Sequence, residues 1–183
     1  MYYQIILVNK ESSGIVWQNI NNKPQIERIF LPCGKTKLIA KIKKEFPAIN
    51  EKEQKIPNEI ATQIAEFYSG MNIKFDTSFL NMKKLSGFAA KVLKETCKIP
   101  RGKVATYSGV AARIGSPLAT RAVGTALANN PFPLVIPCHR VVRSDGSLGG
   151  FGGGLKMKKE LLAKESVEVS TKSRVAARSL WPR

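Results

Sequence analysis

Histidine occurs once in this chain of 183 residues and cysteine three times, and only 13 acidic side chains stand against 30 lysines and arginines. One histidine and three scattered cysteines, Cys33, Cys97 and Cys138, contain no paired ligand spacing, which argues against a metal site. The same cysteines are too few and too far apart for a disulfide framework. No apolar run is long enough to span a bilayer, and the opening MYYQIILVNK lacks the basic start and long apolar core of a secretory signal. The expectation is a globular protein of a reducing cytoplasm, with no membrane partner.

The shortage of acid leaves a net charge of +17, and a polyanion is the natural partner. Nucleic acid ranks ahead of an acidic membrane surface. The excess is uneven: residues 1–84 carry 13 basic and 8 acidic side chains, residues 85–183 carry 17 and 5. The second half is the expected nucleic-acid binder.

Along the chain, Tyr2–Val8, Gly14–Gln18 and Ile26–Leu31 read as short strands broken by Asn, Gly and Pro clusters. Lys35–Glu45 and Asn58–Tyr68 read as helices, the second with Ile60, Ile64 and Phe67 on one face. Met71–Phe75 is a candidate returning strand. The fold class expected is a small α/β domain over residues 1–80, then a mainly helical, winged-helix-like domain with a helix-turn-helix over 85–165. From Ser86 the stripe Phe88, Val92, Leu93 and Cys97 marks a helix that stops at Ile99-Pro100-Arg101-Gly102. Two short helices follow across Gly115: Tyr107–Ile114, then one announced by Ser116 as N-cap and Pro117 in its first turn. On the second helix Ala119, Ala122, Val123, Ala126 and Leu127 can face the core, leaving Arg121, Gly124, Thr125 and Ala128 outward. Small residues around one arginine permit close approach to a groove floor. Leu134–Ile136 reads as a buried strand or extended segment, Gly146–Gly154 as irregular, and Leu155–Lys164 as a last helix. Residues 166–183, Ser/Arg-rich and aperiodic, are expected to be a disordered tail.

The only imidazole follows a thiol directly, in Pro137-Cys138-His139. A thiolate is the useful nucleophile, and a nearby imidazole that accepts the proton is a common way to form it at neutral pH. Consecutive side chains of an extended segment point to opposite faces, so the pair needs a turn at Cys138. An orienting carboxylate must come from Glu95, Asp145, Glu160, Glu165 or Glu168, and Glu165 at the end of the last helix is the best placed. Cys33 also follows a proline but has no histidine beside it, so Pro-Cys alone says little, and a buried structural pair remains open on these residues alone.

The wider pattern narrows the choice. Ile136-Pro137-Cys138-His139-Arg140-Val141-Val142 resembles the active-site signature of the O6-alkylguanine-DNA alkyltransferases, also called methylated-DNA-protein-cysteine methyltransferases. Ile99-Pro100-Arg101-Gly102-Lys103-Val104-Ala105-Thr106-Tyr107, Arg121-Ala122-Val123-Gly124, Asn130-Pro131, Gly149-Gly150-Phe151 and Leu161-Leu162 through Glu165 follow in that family's order. The resemblance implies that Cys138 takes the alkyl group from O6-alkylguanine in an in-line displacement, irreversibly, with O4-alkylthymine as a further candidate substrate. It implies that His139 acts as base through a water, Glu165 orients the histidine, Tyr107 protonates the departing guanine, and Asn130 braces the cysteine turn. Arg121 would fill the stack after the base flips into the protein. Tyr107, Arg121, Ala122, Gly124, Thr125 and Ala128 would meet the minor groove, and Pro133, Val141, Phe151, Gly152 and Gly153 would surround the base. A thioether has no accessible leaving group, so such a protein reacts once, as a monomer on double-stranded DNA, without a cofactor.

Three departures from the family pattern matter. Ser108 stands where some relatives have glycine, Phe151 replaces a frequent tyrosine, and a first domain without histidine cannot carry over the zinc site of some relatives. Two other classes remain as alternatives: a Cys-His-Glu hydrolase, which would turn over, and a helix-turn-helix binder in which Cys138 is a spectator. Neither predicts the whole motif set.

Overall fold

Two hairpin turns, Asn9-Lys10 and Asn21-Asn22, have all four residues at positive φ (47°, 67°, 51° and 59°). That backbone matches the right-handed twist of the strands it joins, and asparagine tolerates it better than most residues. The turns connect β1 (Tyr2–Val8), β2 (Glu11–Ile20) and β3 (Lys23–Cys33) into an antiparallel sheet of order β1-β2-β3. The computed structural model describes residues 1–50 and 52–182 of the chain. It divides into two compact units, Met1–Asn81 and Met82–Arg183.

In the first unit the central strand is covered on both faces, since Ile15, Val16 and Trp17 are consecutive and all buried. Helix α1 (Lys35–Glu45) presents Leu38 and Ile42 to a cluster with Val16, Phe30 and Ile49. Gly14 permits this approach: a Cβ there would sit 3.2 Å from both Leu38 and Ile42. Helix α2 runs Ile60–Tyr68, two residues shorter than expected at its start, because the Asn58 Oδ1 accepts the Ile60 N–H at 3.1 Å and ends the helix there. The returning strand expected at Met71–Phe75 is not formed. The chain rejoins the sheet later, where Leu80 bridges Ile26 and the Asn81 N–H donates to the Ile26 carbonyl.

In the second unit α3 (Gly87–Cys97) is capped by the Ser86 hydroxyl, which accepts the Ala89 N–H at 3.2 Å, and it buries Val92 and Leu93. A two-residue strand, β4 (Ala105–Thr106), leads into α4 (Tyr107–Arg113), with Thr106 as N-cap. The next helix, α5 (Thr120–Ala128), starts later than Ser116 and Pro117 suggest. Ser116 instead closes a turn, its carbonyl accepting from the Ala119 N–H at 2.9 Å. The segment Leu134–Ile136 is a buried turn rather than a strand, with Leu134 at φ 75° and the Ile136 N–H on the Phe132 carbonyl. β5 (Val141–Val142) pairs parallel with β4, and α6 (Gly154–Lys164) follows the glycine-rich loop. Among the described residues no helix is long and apolar enough to cross a membrane.

The expectation of a disordered tail is corrected for residues 166–182; Arg183 lies outside the described residues. Val167 and Val175 complete a core cluster with Val104, Val142, Leu148 and Leu162. Backbone bonds link Val175 to Gly146, Leu148 to Ser173, and Val104 to Ser179 and Trp181. The Arg113 guanidinium stacks 3.8 Å from the Trp181 ring centroid. Removing residues 166–183 is therefore expected to cost about 3 kcal/mol or more through the apolar surface it uncovers. Trp181→Ala should cost about 1–2 kcal/mol. Urea unfolding followed by far-UV circular dichroism measures both, and a tail without structural role would leave the midpoint unmoved.

Candidate active site

Pro137 (φ −80°, ψ 62°) forms an inverse γ-turn in which the Cys138 N–H donates to the Ile136 carbonyl at 2.8 Å. A single 3-10 turn, Cys138–Arg140, follows, and it breaks the alternation that would separate the thiol from the imidazole. Asn130 holds the approach to this corner from both ends of its amide: Nδ2 donates to the Ile136 carbonyl at 3.0 Å and Oδ1 accepts the Phe132 N–H at 2.9 Å. The same amide reaches the Cys138 sulfur.

Behind the turn, the carboxylate of Glu165 is 1% exposed and the ring of His139 is fully buried. Glu165 Oε1 meets His139 Nε2 at 3.1 Å, while Arg140 grips both carboxylate oxygens, Nε to Oε2 at 2.8 Å and a terminal nitrogen to Oε1 at 2.7 Å. The remaining Arg140 nitrogen donates to the Ile99 carbonyl at 2.6 Å. The loop after Ile99 closes over the end of α6: Arg101 donates to the Lys164 carbonyl at 2.5 Å, and Gly102, at φ 79°, lies against the Glu165 carbonyl. This explains why Pro100-Arg101-Gly102 and the distant Glu165 belong to one pattern. Arg140, to which the sequence reading gave no role, is the main partner of the buried carboxylate, and its place beside Cys-His was the available signal.

Burial opposes the Glu165 charge, but the hydrogen bonds from His139 and Arg140 outweigh it and lower its pKa to about 2. Burial also holds His139 below its ordinary value, against the favourable pull of Glu165, so the ring is neutral. With Nε2–H turned to the carboxylate, Nδ1 is the basic nitrogen. Burial pushes the Cys138 thiol up, partly offset by the Asn130 amide and the Lys158 charge. The resting pair is a neutral thiol and a neutral imidazole. The pair is not preformed as thiolate and imidazolium.

Cys138 lies in a cavity of about 360 Å³ lined by Tyr107, Gly124, Leu127, Ala128, Gly150, Phe151 and Gly152. The structure thus brings together Cys138, Tyr107, Phe151 and Gly152 with two residues of the small-residue helix, Gly124 and Ala128. Pro133, Val141 and Gly153, also expected around the base, do not line it. Pro133 and Val141 are buried and Gly153 is the N-cap of α6. Leu127 and Gly150 line it and were not anticipated. Arg121, Ala122, Thr125 and Ala128 are exposed on α5, so Ala122 does not face the core. Among the described residues no group of three or more His, Cys, Asp or Glu could hold a metal ion, and all three cysteines are free.

Residues 87–167 match the family model described as 6-O-methylguanine DNA methyltransferase, DNA binding domain. A methylated-DNA–protein-cysteine methyltransferase of Methanothermobacter thermautotrophicus is 46% identical over 111 residues, 61% of this chain and 62% of that protein. One of Methanosarcina barkeri is 40% identical over 121 residues, 66% of this chain and 75% of that protein. The chain also superimposes on the O6-methylguanine methyltransferase of Mycobacterium tuberculosis with a TM-score of 0.72 at 25% identity, covering 96% of this chain and 95% of that one.

Replacing the buried carboxylate, Glu165→Gln, leaves Arg140 without its anion and is expected to cost about 3 kcal/mol at neutral pH. The folded-state pKa of Glu165 lies below its unfolded value of 4.5, so the native carboxylate contributes fully above 4.5 and its contribution fades as pH falls towards 2. The stability gap between native and variant should therefore narrow in acid. Urea unfolding at a series of pH values measures it, and a gap independent of pH would contradict the assignment.

Proposed function

Because this chain belongs to the methylated-DNA–protein-cysteine methyltransferases, we propose that it repairs DNA by direct reversal, moving the alkyl group of O6-alkylguanine in duplex DNA onto Cys138. The observation that carries this reading is a cysteine facing a cavity of nucleobase size, about 360 Å³, backed by a buried His139–Glu165 pair. The sulfur attacks the alkyl carbon opposite the guanine oxygen. One S–C bond forms, the C–O bond breaks, and its electron pair leaves with the guanine. The thiol proton passes to His139 Nδ1 through a bridging water, Glu165 steadies the imidazolium that results, and Tyr107 donates the proton the departing base needs. The high resting pKa of the thiol fits proton removal in concert with attack.

The product is a thioether, which water does not cleave, so each molecule reacts once. An O6-alkyl carbon inside the stack cannot meet a buried sulfur in line, so the base must leave the helix. Exposed Arg121, among the small residues of α5, fills the space it vacates, with the helix in the minor groove. The protein acts as a monomer, and a free-thiol reaction suits a reducing cytoplasm. Phosphate contacts from the basic second half should dominate affinity, so binding falls steeply with salt. Gly152 adds no side-chain bulk to the cavity lining, which admits groups larger than methyl.

Mixing the protein with an excess of duplex bearing one O6-methylguanine should add one methylene to the Cys138 peptide, saturating at one per chain by mass spectrometry. Retained DNA binding without the mass gain would reduce the protein to a lesion binder, and repeated turnover would favour a hydrolase. Gly152→Trp should slow reaction with O6-benzylguanine at least tenfold while sparing the methylated duplex more. Equal slowing of both substrates would refute the steric account.

A further inference from the structure

The match to the family model ends at residue 167, yet the chain beyond it is folded. Val169 bridges Val175 in an antiparallel hairpin that Ser170 closes. The Ser170 N–H donates to the Arg174 carbonyl at 2.8 Å, its carbonyl accepts the Ser173 N–H at 2.9 Å, and its hydroxyl accepts the Arg174 N–H at 3.2 Å. Lys172, in the tip, and Arg174, just after it, are both exposed. Residues 169–183 contain four basic side chains and no acidic one.

This hairpin is joined by backbone pairing to the loop that runs from the cysteine strand to the cavity. After β5, residues 143–147 form a tight turn, with the Arg143 N–H on the Ser147 carbonyl at 2.8 Å and the Gly146 N–H on the Arg143 carbonyl at 2.9 Å. Arg174 bridges Ser147, the Leu148 N–H donates to the Ser173 carbonyl at 3.2 Å, and the Val175 N–H donates to the Gly146 carbonyl at 3.0 Å. Two residues after Leu148, Gly150 enters the cavity wall. Exposed Arg143 therefore shares one edge with Lys172 and Arg174. Burial raises the pKa of Tyr107 in the cavity lining, and Arg143 is close enough for its charge to oppose that rise. Asp145 is the one acidic side chain between residues 141 and 159. Its Oδ1 is turned onto its own loop, accepting the Ser147 N–H at 3.0 Å and the Ser147 hydroxyl at 2.7 Å. Its other oxygen meets Arg174 at 3.4 Å, but both side chains are more than half exposed, so the pair holds Arg174 only weakly.

We propose that the hairpin over residues 169–175 extends the DNA-binding surface beyond the matched domain, with Lys172 and Arg174 contacting phosphates of the duplex that flanks the alkylated base. The inference rests on the proposed reaction with duplex DNA and adds a phosphate-binding edge to it. A partner protein is held by buried aromatic and apolar anchors. The tip Ser170-Thr171-Lys172-Ser173 offers hydroxyls and charge instead, the groups that meet phosphate oxygens without reading sequence. Because the loop beside the hairpin ends in the cavity wall, a strand that delivers a base to Cys138 runs its backbone past this edge.

Fluorescence anisotropy of a labelled, undamaged duplex over a range of salt concentrations tests the edge, since each phosphate contact contributes about 0.9 to the slope of log affinity on log salt. Lys172→Gln/Arg174→Gln should flatten that slope by about two and weaken binding roughly tenfold or more at about 0.1 M salt. Lys172→Arg/Arg174→Lys keeps both charges and should retain the slope. Lys41→Gln/Lys44→Gln, the same loss of charge on exposed positions of α1, should leave it nearly unchanged. With methylated duplex the Lys172→Gln/Arg174→Gln protein should need roughly tenfold more DNA for half its limiting rate. Benzylation of its Cys138 by free O6-benzylguanine, which brings no phosphate, should proceed as in the unaltered protein. A slope unmoved by Lys172→Gln/Arg174→Gln, or moved equally by the α1 variant, overturns the edge while leaving alkyl transfer intact. Slower reaction with the free base would mean a distorted cavity wall and would overturn it as well. Absence of any Cys138 alkylation in the unaltered protein overturns the proposed function instead, and the salt slope still reads the edge.

Discussion

The second unit is organised around one buried negative charge. Glu165 sits where α6 ends, out of water, and is tolerable there because Arg140 meets both its oxygens and His139 meets one of them. A charge in that position dictates its surroundings. Arg140 must reach inwards, which fixes the turn carrying Cys138. The third nitrogen of Arg140 then needs the Ile99 carbonyl, which fixes the end of α3 and the loop beyond it. The pairing of β4 with β5 carries the constraint to Tyr107, at the start of α4. Residues separated by more than sixty positions are thus held as one unit.

The same arrangement decides the resting chemistry. Arg140 meets both oxygens of the carboxylate, and burial of the imidazole outweighs the pull of Glu165 on its proton. The imidazole stays neutral and basic, and the thiol beside it stays protonated until a substrate arrives. A thiolate held permanently in a basic, partly open cavity would invite oxidation and unrelated electrophiles. Under the proposed single-turnover transfer, each such event would be a lost molecule. Keeping the proton on sulfur until the alkyl carbon is in place is the safer arrangement.

Much of the architecture was legible in the sequence because it rests on local rules. The start of the helical pattern at Ser86, the stripe along α3, the break at Pro100-Arg101-Gly102 and the small-residue face of α5 are all written in neighbouring residues. The pairing of Glu165 with the histidine was reachable because so few carboxylates remain in the basic half. What escaped depends on distant partners. Ser116-Pro117 looks like a helix start, yet closes a turn, since both a cap and a turn use the same residues. Val167 and Val175 have no periodicity to mark them, and they pack only because β5 and α6 leave apolar surface uncovered. Lys158, within Lys156-Met157-Lys158-Lys159, reads as a solvated helix face, and nothing local reveals that it is buried with the carbonyls of Val141, Leu148 and Gly150 around its ammonium.

The sole histidine offers a direct view of this account. Selective 15N-histidine labelling gives the resonances of one imidazole, whose nitrogen shifts report both tautomer and charge. The account predicts a neutral ring with its proton on Nε2 at pH 7, remaining neutral well below pH 6.5. An imidazolium at neutral pH, or a neutral ring protonated on Nδ1, would contradict the neutral thiol–imidazole pair on which the chemistry depends.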